Sequence, residues 1–441
     1  MRVSLISRSA AHRERRVPLF AQKMGAGNTA RDSVFCTAAL LALCATEIYG
    51  TLGALAFIIA ALSLALFDPA DAMRGLIRFS PLLILPLVAM LSTLWSDAPE
   101  RTLRAALQLS LTAIAAILIC RRFRSDSMLL VLFLGFFAIV CLSLPAVPGA
   151  VSHGFALAAP FESKNQLGFA AQILLALALA LAADSRQLRG ARIAALLALP
   201  LCLLVLVLSQ SAGARVTAAL TLVTFPAFLV LARVKITTRI LIVLATLVAV
   251  GLALFFLADI QAAVADFRTS VLKKDATLTG RTYLWEFAAR LSAERPLLGH
   301  GYYAFWRKGN IDAEGLWRWG GIGARSGFNF HNAFIEMQVD LGVVGETILI
   351  INCVGIAVVG FLKQLSKPSI PMAFLLSMLT VIYVRSFTES GLIGPFSLLT
   401  LLWISTAVYA FAPTETFSET SRNAARDEVN PERARLNPRR T

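Results

Sequence analysis

SGFNFHNAFIEMQVDLGVVGETILIINCVGIAVVGFL, residues 326 to 362, begins with polar and aromatic residues and ends as lipid-compatible helix. From Leu341 to Leu362 its only charge is Glu346, and a helix of that length crosses roughly 30 Å of hydrocarbon. His331, one of four histidines in 441 residues, stands where such a helix would meet water.

The same pattern recurs along the chain. With 57% hydrophobic residues, 15% charged and a mean hydropathy of +0.72, the chain exceeds what a soluble core can hide. Apolar runs near 34–48, 51–67, 79–95, 103–120, 127–145, 166–183, 192–208, 214–231, 239–257, 338–362, 370–386 and 391–411 predict an all-α polytopic membrane protein of about twelve spans. Ten or eleven stay possible, because the first two runs are short and joined through Glu47 and Gly50. The cysteines, 36, 44, 120, 141, 202 and 353, all fall in apolar runs and read as small buried hydrophobes. No metal-ligand spacing and no cleavable signal peptide is evident.

Arginine and lysine placement orients the chain. With the basic tail 1–33 in the cytoplasm, the inner loops carry Arg74/Arg78, Arg121/Arg122/Arg124, Arg186/Arg189/Arg192, Arg233/Lys235/Arg239 and Lys363/Lys367. Outer connections hold Arg101, Arg104, Lys164, Arg215 and Arg385. The net charge of +15 is then a signal of topology and anionic lipid, not of nucleic acid. This orientation divides the chain into spans one to nine (34–257), a periplasmic loop (258–330), spans ten to twelve (331–411) and a polar, disordered cytoplasmic tail (412–441).

The loop has structure of its own to predict. TGRTYLWEFAARLSAERPLLG (279–299) places Leu284, Phe287, Ala288 and Leu291 at helical spacing, with Thr279 as cap and Pro296 as stop, and reads as an amphipathic helix at the interface. A Gly-rich stretch follows, 299–327, dense in Tyr302, Tyr303, Phe305, Trp306, Trp317 and Trp319. Such rings anchor at headgroups or stack on the C–H faces of sugars.

FESKNQLG (161–168), LSQS (208–211), LTGRTYLW (278–285), RPLLGHGYYAFW (295–306), FHNAFIEMQVDLGVVG (330–345) and RSFTES (385–390) together resemble the O-antigen ligase and O-antigen polymerase superfamily, most closely its succinoglycan-type exopolysaccharide polymerases. The block 278–345 is the specific part. The resemblance implies a GT-C-like bundle with short helices in the periplasmic loop. It also implies an inverting glycosyltransferase that uses neither metal nor cofactor. Its donor would be an undecaprenyl-diphosphate-linked glycan, and its acceptor a second carrier-linked repeat or, for a ligase, lipid A core. Other polysaccharide export proteins are possible partners, the bilayer is the medium, and the expected place is the bacterial inner membrane with the site facing the periplasm.

The residues fit that chemistry. Breaking a sugar–diphosphate bond builds negative charge on the leaving group, and the chain has no Asp-x-Asp to hold a metal there. A guanidinium fork substitutes, and Arg281 in the first turn of the loop helix is the first choice. Taken alone, Arg281 reads as an interfacial arginine on lipid headgroups; the motif turns that reading toward pyrophosphate. With Asn329 as cap, His331 falls in a first helical turn, where the positive helix end disfavours imidazolium and leaves a base for the acceptor hydroxyl. Its alternative is a hydrogen bond at the interface. Trp306 is the ring chosen for a sugar face. Arg215 stands three residues beyond Ala212, where the superfamily carries a basic residue; it reads equally as a phosphate ligand or a snorkelling helix end. Lys164 and Asn165 hold phosphate or sugar, or cap a helix. Arg385 and Glu389 bind substrate or pair with each other. Arg295 reads as a lipid-phosphate contact, His300 as a turn residue, and His12 and His153 have no assigned role. A flippase would place charges at mid-membrane and repeat its halves, and neither mark is visible; a scaffold would not need Arg281 and His331 together.

Overall fold

The computed structural model describes residues 30–242 and 280–411; the tails, the loop start at 258–279 with the Thr279 cap, and most of the run 239–257 lie outside the described residues. Among the described residues the fold is helical, with no strand. In chain order the helices are α1 (Ala30–Tyr49), α2 (Thr51–Phe67), α3 (Pro69–Arg78), α4 (Ile84–Leu91), α5 (Pro99–Arg122), α6 (Ser125–Cys141), α7 (Val147–His153), α8 (Lys164–Ala183), α9 (Arg189–Leu208), α10 (Ala212–Leu231), α11 (Arg281–Glu294), α12 (Ile311–Trp319), α13 (Ala333–Ser366), α14 (Ile370–Ser386) and α15 (Leu398–Phe411).

Seven described helical segments are long and apolar enough to cross a membrane, and eight if α2 and α3, bent by 107°, count as one; Ser80–Leu94, α14 and α15 are shorter apolar segments. The first two runs form a tight hairpin. Phe35 meets Phe67 at 5.0 Å between ring centres, and a Cβ on Gly53 would sit 2.9 Å from the Thr46 backbone. Asp68 then caps α3 and Pro69 opens it, which turns the chain sharply.

α5 connects two chemically different ends. At its C-terminal end Arg121 pairs with Asp71, and Arg122 lies 3.8 Å from Asp32 and 3.6 Å from Asp71. Asp126 joins this end through Arg124, and Arg78 donates to Phe411 O. Its N-terminal end meets the loop, where Arg101 Nε donates to Tyr303 O at 2.8 Å and Asp97 takes Arg295 at 2.8 Å. Arg295, expected at lipid phosphate, is paired here with a carboxylate of the same chain.

The loop covers its own core. Leu284, Ala288 and Leu291 of α11 are buried with Phe305, Trp317, Phe330 and Val339, so the apolar face predicted to lie at the interface is covered by protein. Residues 296–301 are laced along a kink in α13. His300 N donates to Val339 O and Gly301 N to Asp340 O, while Val343 N donates back to Pro296 O, each at 2.9 Å. Gly342 breaks the helical geometry there at φ 64°, and a Cβ on it would stand 2.4 Å from Leu297 carbonyl atoms. On the facing strand of chain Gly299, φ 65°, leaves no more room against Asp340. Only glycine satisfies both the backbone angle and the approach. His300 adds contacts to Asp97 Oδ2 at 2.9 Å and Leu291 O at 3.0 Å, and so fastens the turn to both α11 and the segment before α5.

Candidate active site

Three residues from separate elements converge beside the loop. Arg281 is the first residue of α11, set by Gly280 in the left-handed region, φ 77°. Glu389 follows α14, its N–H bonded to Arg385 O at 2.8 Å. His331 precedes α13. Glu389 Oε1 lies 3.5 Å from an Arg281 terminal nitrogen and Oε2 lies 3.3 Å from His331 Nδ1, so one carboxylate joins both. All three are part-exposed, with side-chain exposures of 20% for Arg281, 31% for Glu389 and 26% for His331.

Two expectations are corrected here. Asn332, not Asn329, caps α13, accepting from Phe334 N and Ile335 N at 3.0 and 3.2 Å. His331 therefore lies before the helix, at φ 52°, and Asn329 Oδ1 instead accepts from His331 N at 2.8 Å. Its environment is set by a carboxylate rather than by a place inside the first turn. Glu389 likewise does not give its carboxylate to Arg385 in a direct ion pair. The Arg385 guanidinium stacks over the Phe169 ring, 4.1 Å from its centre. Burial raises the proton affinity of Glu389, but the His331 hydrogen bond and the charges of Arg385, His331 and Arg281 outweigh it, so this carboxyl lies below its ordinary value.

Nδ1 faces a carboxylate, so Nδ1–H donates to it, and in the neutral ring Nε2 is then the acceptor. Among the described residues Nε2 has no partner, which leaves it available to a substrate proton. Arg281 keeps further guanidinium donors for an anion.

Two cavities flank this group and share Tyr303, Asn329 and Ser390 in their walls. One, about 530 Å³, contains Arg385 and Glu389 at its polar end and runs between Leu43, Phe136 and Ile173 of α1, α6 and α8. The other, about 690 Å³, lies under the loop and is lined by Trp306, Glu336 and Asp340. Trp306 packs against Phe305, Trp317, Phe328 and Phe330 and donates to Glu336 Oε1 at 2.8 Å. Glu336 and Asp340 were missed in the sequence, though two acids one helical turn apart at the head of a span are a functional signal.

The remaining candidates lie apart. Asn165 accepts from Ser211 Oγ at 2.9 Å, joining the starts of α8 and α10, and Lys164 beside it is exposed. Arg215 donates to Leu206 O and Val207 O at the end of α9, at 3.4 and 3.2 Å. Its guanidinium caps a helix and does not join Arg281.

The O-antigen ligase family profile matches residues 194–350, which include Arg281, His331 and the kinked start of α13. Over 369 residues the chain is 30% identical to exopolysaccharide production protein ExoQ of Rhizobium meliloti (strain 1021), covering 81% of this chain and 83% of that protein. The chain belongs to the O-antigen ligase and polymerase family. In this family member the convergence extends beyond the profile match, since Glu389 and Arg385 come from the following helical pair.

Proposed function

We propose that the chain is an inverting, metal-independent glycosyltransferase that polymerises undecaprenyl-diphosphate-linked oligosaccharide repeats at the periplasmic face of the bacterial inner membrane. The observation that carries this reading is Glu389, which holds Arg281 and His331 on one carboxylate. The acceptor hydroxyl oxygen attacks the anomeric carbon of the donor while the bond from that carbon to the diphosphate oxygen breaks on the opposite side. His331 Nε2 takes the hydroxyl proton. Glu389 accepts from Nδ1–H and stabilises the imidazolium that forms. Arg281 binds the departing diphosphate, whose charge a guanidinium meets with a rigid fork. The apolar cavity between α1, α6 and α8 suits the first units of a polyprenyl tail, with Arg385 at its polar end.

The similarity to an exopolysaccharide production protein favours polymerisation, and the family profile described as O-antigen ligase supports a second reading, delivery of the glycan to lipid A core. Both use the same donor chemistry. Purified protein supplied only with the carrier-linked repeat separates them. A ladder of longer carrier-linked products supports the polymerase. A donor left unextended until lipid A core is added, and then consumed, replaces it with the ligase.

A further inference from the structure

The 690 Å³ cavity under the loop is not used by the steps above, yet its wall is built like a ligand site, and its volume falls within the roughly 300–1,000 Å³ of small-molecule pockets. Its deep side is acidic. Asp340, 3% exposed, accepts at Oδ2 from Tyr303 N at 3.0 Å, and Oδ1 has no partner among the described residues. Glu336, one turn earlier on α13, accepts from Trp306 Nε1 and Phe330 N at 2.8 Å each, which leaves lone pairs unused. Three donors in the same wall have no hydrogen-bond partner among the described residues: the Tyr302 hydroxyl and the Trp317 indole N–H, on residues 1% and 2% exposed, and Arg307 Nε.

Buried polar groups are nearly always satisfied, so a wall with spare acceptors and orphaned donors points to an absent polar occupant. A sugar hydroxyl is both donor and acceptor and matches both kinds of group. The wall also holds Arg101, Arg307, Lys308 and Arg325, which supply further N–H donors. The aromatic rings around Trp306 suit the C–H face of a pyranose.

We propose that this cavity is the acceptor subsite, which binds a sugar residue through Asp340 and Glu336 and directs its hydroxyl past Asn329 and Ser390 toward His331. The assignment rests on the transferase reading above. It makes Asp340 and Glu336 specificity-determining residues, distinct from the pair that handles the donor.

The test uses full-length protein in nanodiscs and methyl glucoside, methyl galactoside and methyl mannoside as probes, read by tryptophan fluorescence, since Trp306 and Trp317 line the cavity. At least one probe should bind saturably, without displacement by inorganic pyrophosphate, and about ten-fold more weakly to Asp340→Asn, as expected for losing a hydrogen-bond partner. Tyr302→Phe separates binding from structure and carries the test if Asp340→Asn does not fold. Removing an orphaned hydroxyl leaves stability equal or higher, whereas sugar binding should weaken several-fold. In turnover with the carrier-linked repeat as donor and a soluble glycoside of that repeat as a separate acceptor, the acceptor KM should rise in both variants while the donor KM stays unchanged. Absence of saturable binding, displacement by pyrophosphate, or an equal rise in both KM values overturns the subsite even where wild type forms a ladder. Failure of the transferase reading shows separately, as a donor that wild type never consumes.

Discussion

His331 Nδ1 stands 3.3 Å from Glu389 Oε2 across 58 residues of sequence, and this contact decides which ring nitrogen is left for substrate. The histidine itself sits at φ 52°, a region costing a non-glycine residue about 1–3 kcal/mol, so the surrounding contacts must hold it there. Asn329 from one side and Glu389 from the other supply them.

Glu389→Gln keeps the size of the side chain and removes the charge that joins His331 to Arg281. The expected result is a fall in kcat of about 10²-fold, the lower range for a misdirected general base. Donor-dependent initial rates on purified protein check it, with unfolding temperature as the control for folding. A rate within two-fold of wild type would detach Glu389 from the chemistry.

Protonation should reproduce the stability part of that substitution. Glu389 has a folded value below its ordinary one, so its ionised form adds stability above the ordinary glutamate range near pH 4.3, and that stability is lost as pH falls through the lower folded value. Wild type should therefore melt above Glu389→Gln at pH 7, and the gap should close in acid. A gap that widens on acidification contradicts the lowered value.

Much of this arrangement is readable in the sequence, and the boundary of what is readable has a physical cause. The apolar runs mark helices because hydrophobic burial acts on every residue of a span, and Arg281 falls at a helix start because GRTYLWEF carries a local pattern. The cap of α13 was misread because Asn329 and Asn332 are both good cap formers. The choice is made by Glu336, whose carboxylate accepts from Phe330 N and holds that residue outside the helix. For Glu389 the sequence offers substrate or its near neighbour Arg385, four residues away, because only tertiary packing brings Arg281 and His331 within reach. Arg215 shows the same limit, since the carbonyls that occupy it belong to the end of α9.

Arg281→Lys keeps the positive charge and loses the fork. Expressed protein should insert normally and lose activity by an amount on the order of 2–4 kcal/mol in the barrier, as for other transition-state donors. Chelator should leave wild-type activity unchanged, because the guanidinium takes the place of a metal in this mechanism. Polymer at wild-type levels from the lysine variant would return Arg281 to a lipid-anchoring role.

Gly299→Ala and Gly342→Ala test whether the laced kink positions the site. Each Cβ would meet backbone at 2.5 and 2.4 Å respectively, with positive φ in addition, so each should cost more than about 2 kcal/mol or prevent folding. Gly190→Ala, with nothing within 4 Å, should stay within about 1 kcal/mol of wild type. Unfolding temperatures in one lipid environment compare all three, and equal values would remove the kink from the folding argument.

The orientation of the two ends is the prediction on which the proposed mechanism depends most, because that mechanism assigns the donor to one side of the membrane. α5 runs from the loop, at Arg101 and Tyr303, to the basic end, where Arg121 and Arg122 meet Asp71 and Asp32. A helix of 24 residues rises about 36 Å, enough to separate the two ends across a bilayer. Arginines and lysines are retained on the cytoplasmic side, so the Arg121 end should face inward and the loop outward. Reporter fusions after residues 124, 190, 236 and 365 should score cytoplasmic, and those near 150 and 310 periplasmic. A cytoplasmic score at 310 would put Arg281, His331 and Glu389 on the wrong side of the membrane for the carrier-linked donor, and neither the polymerase nor the ligase reading would survive it.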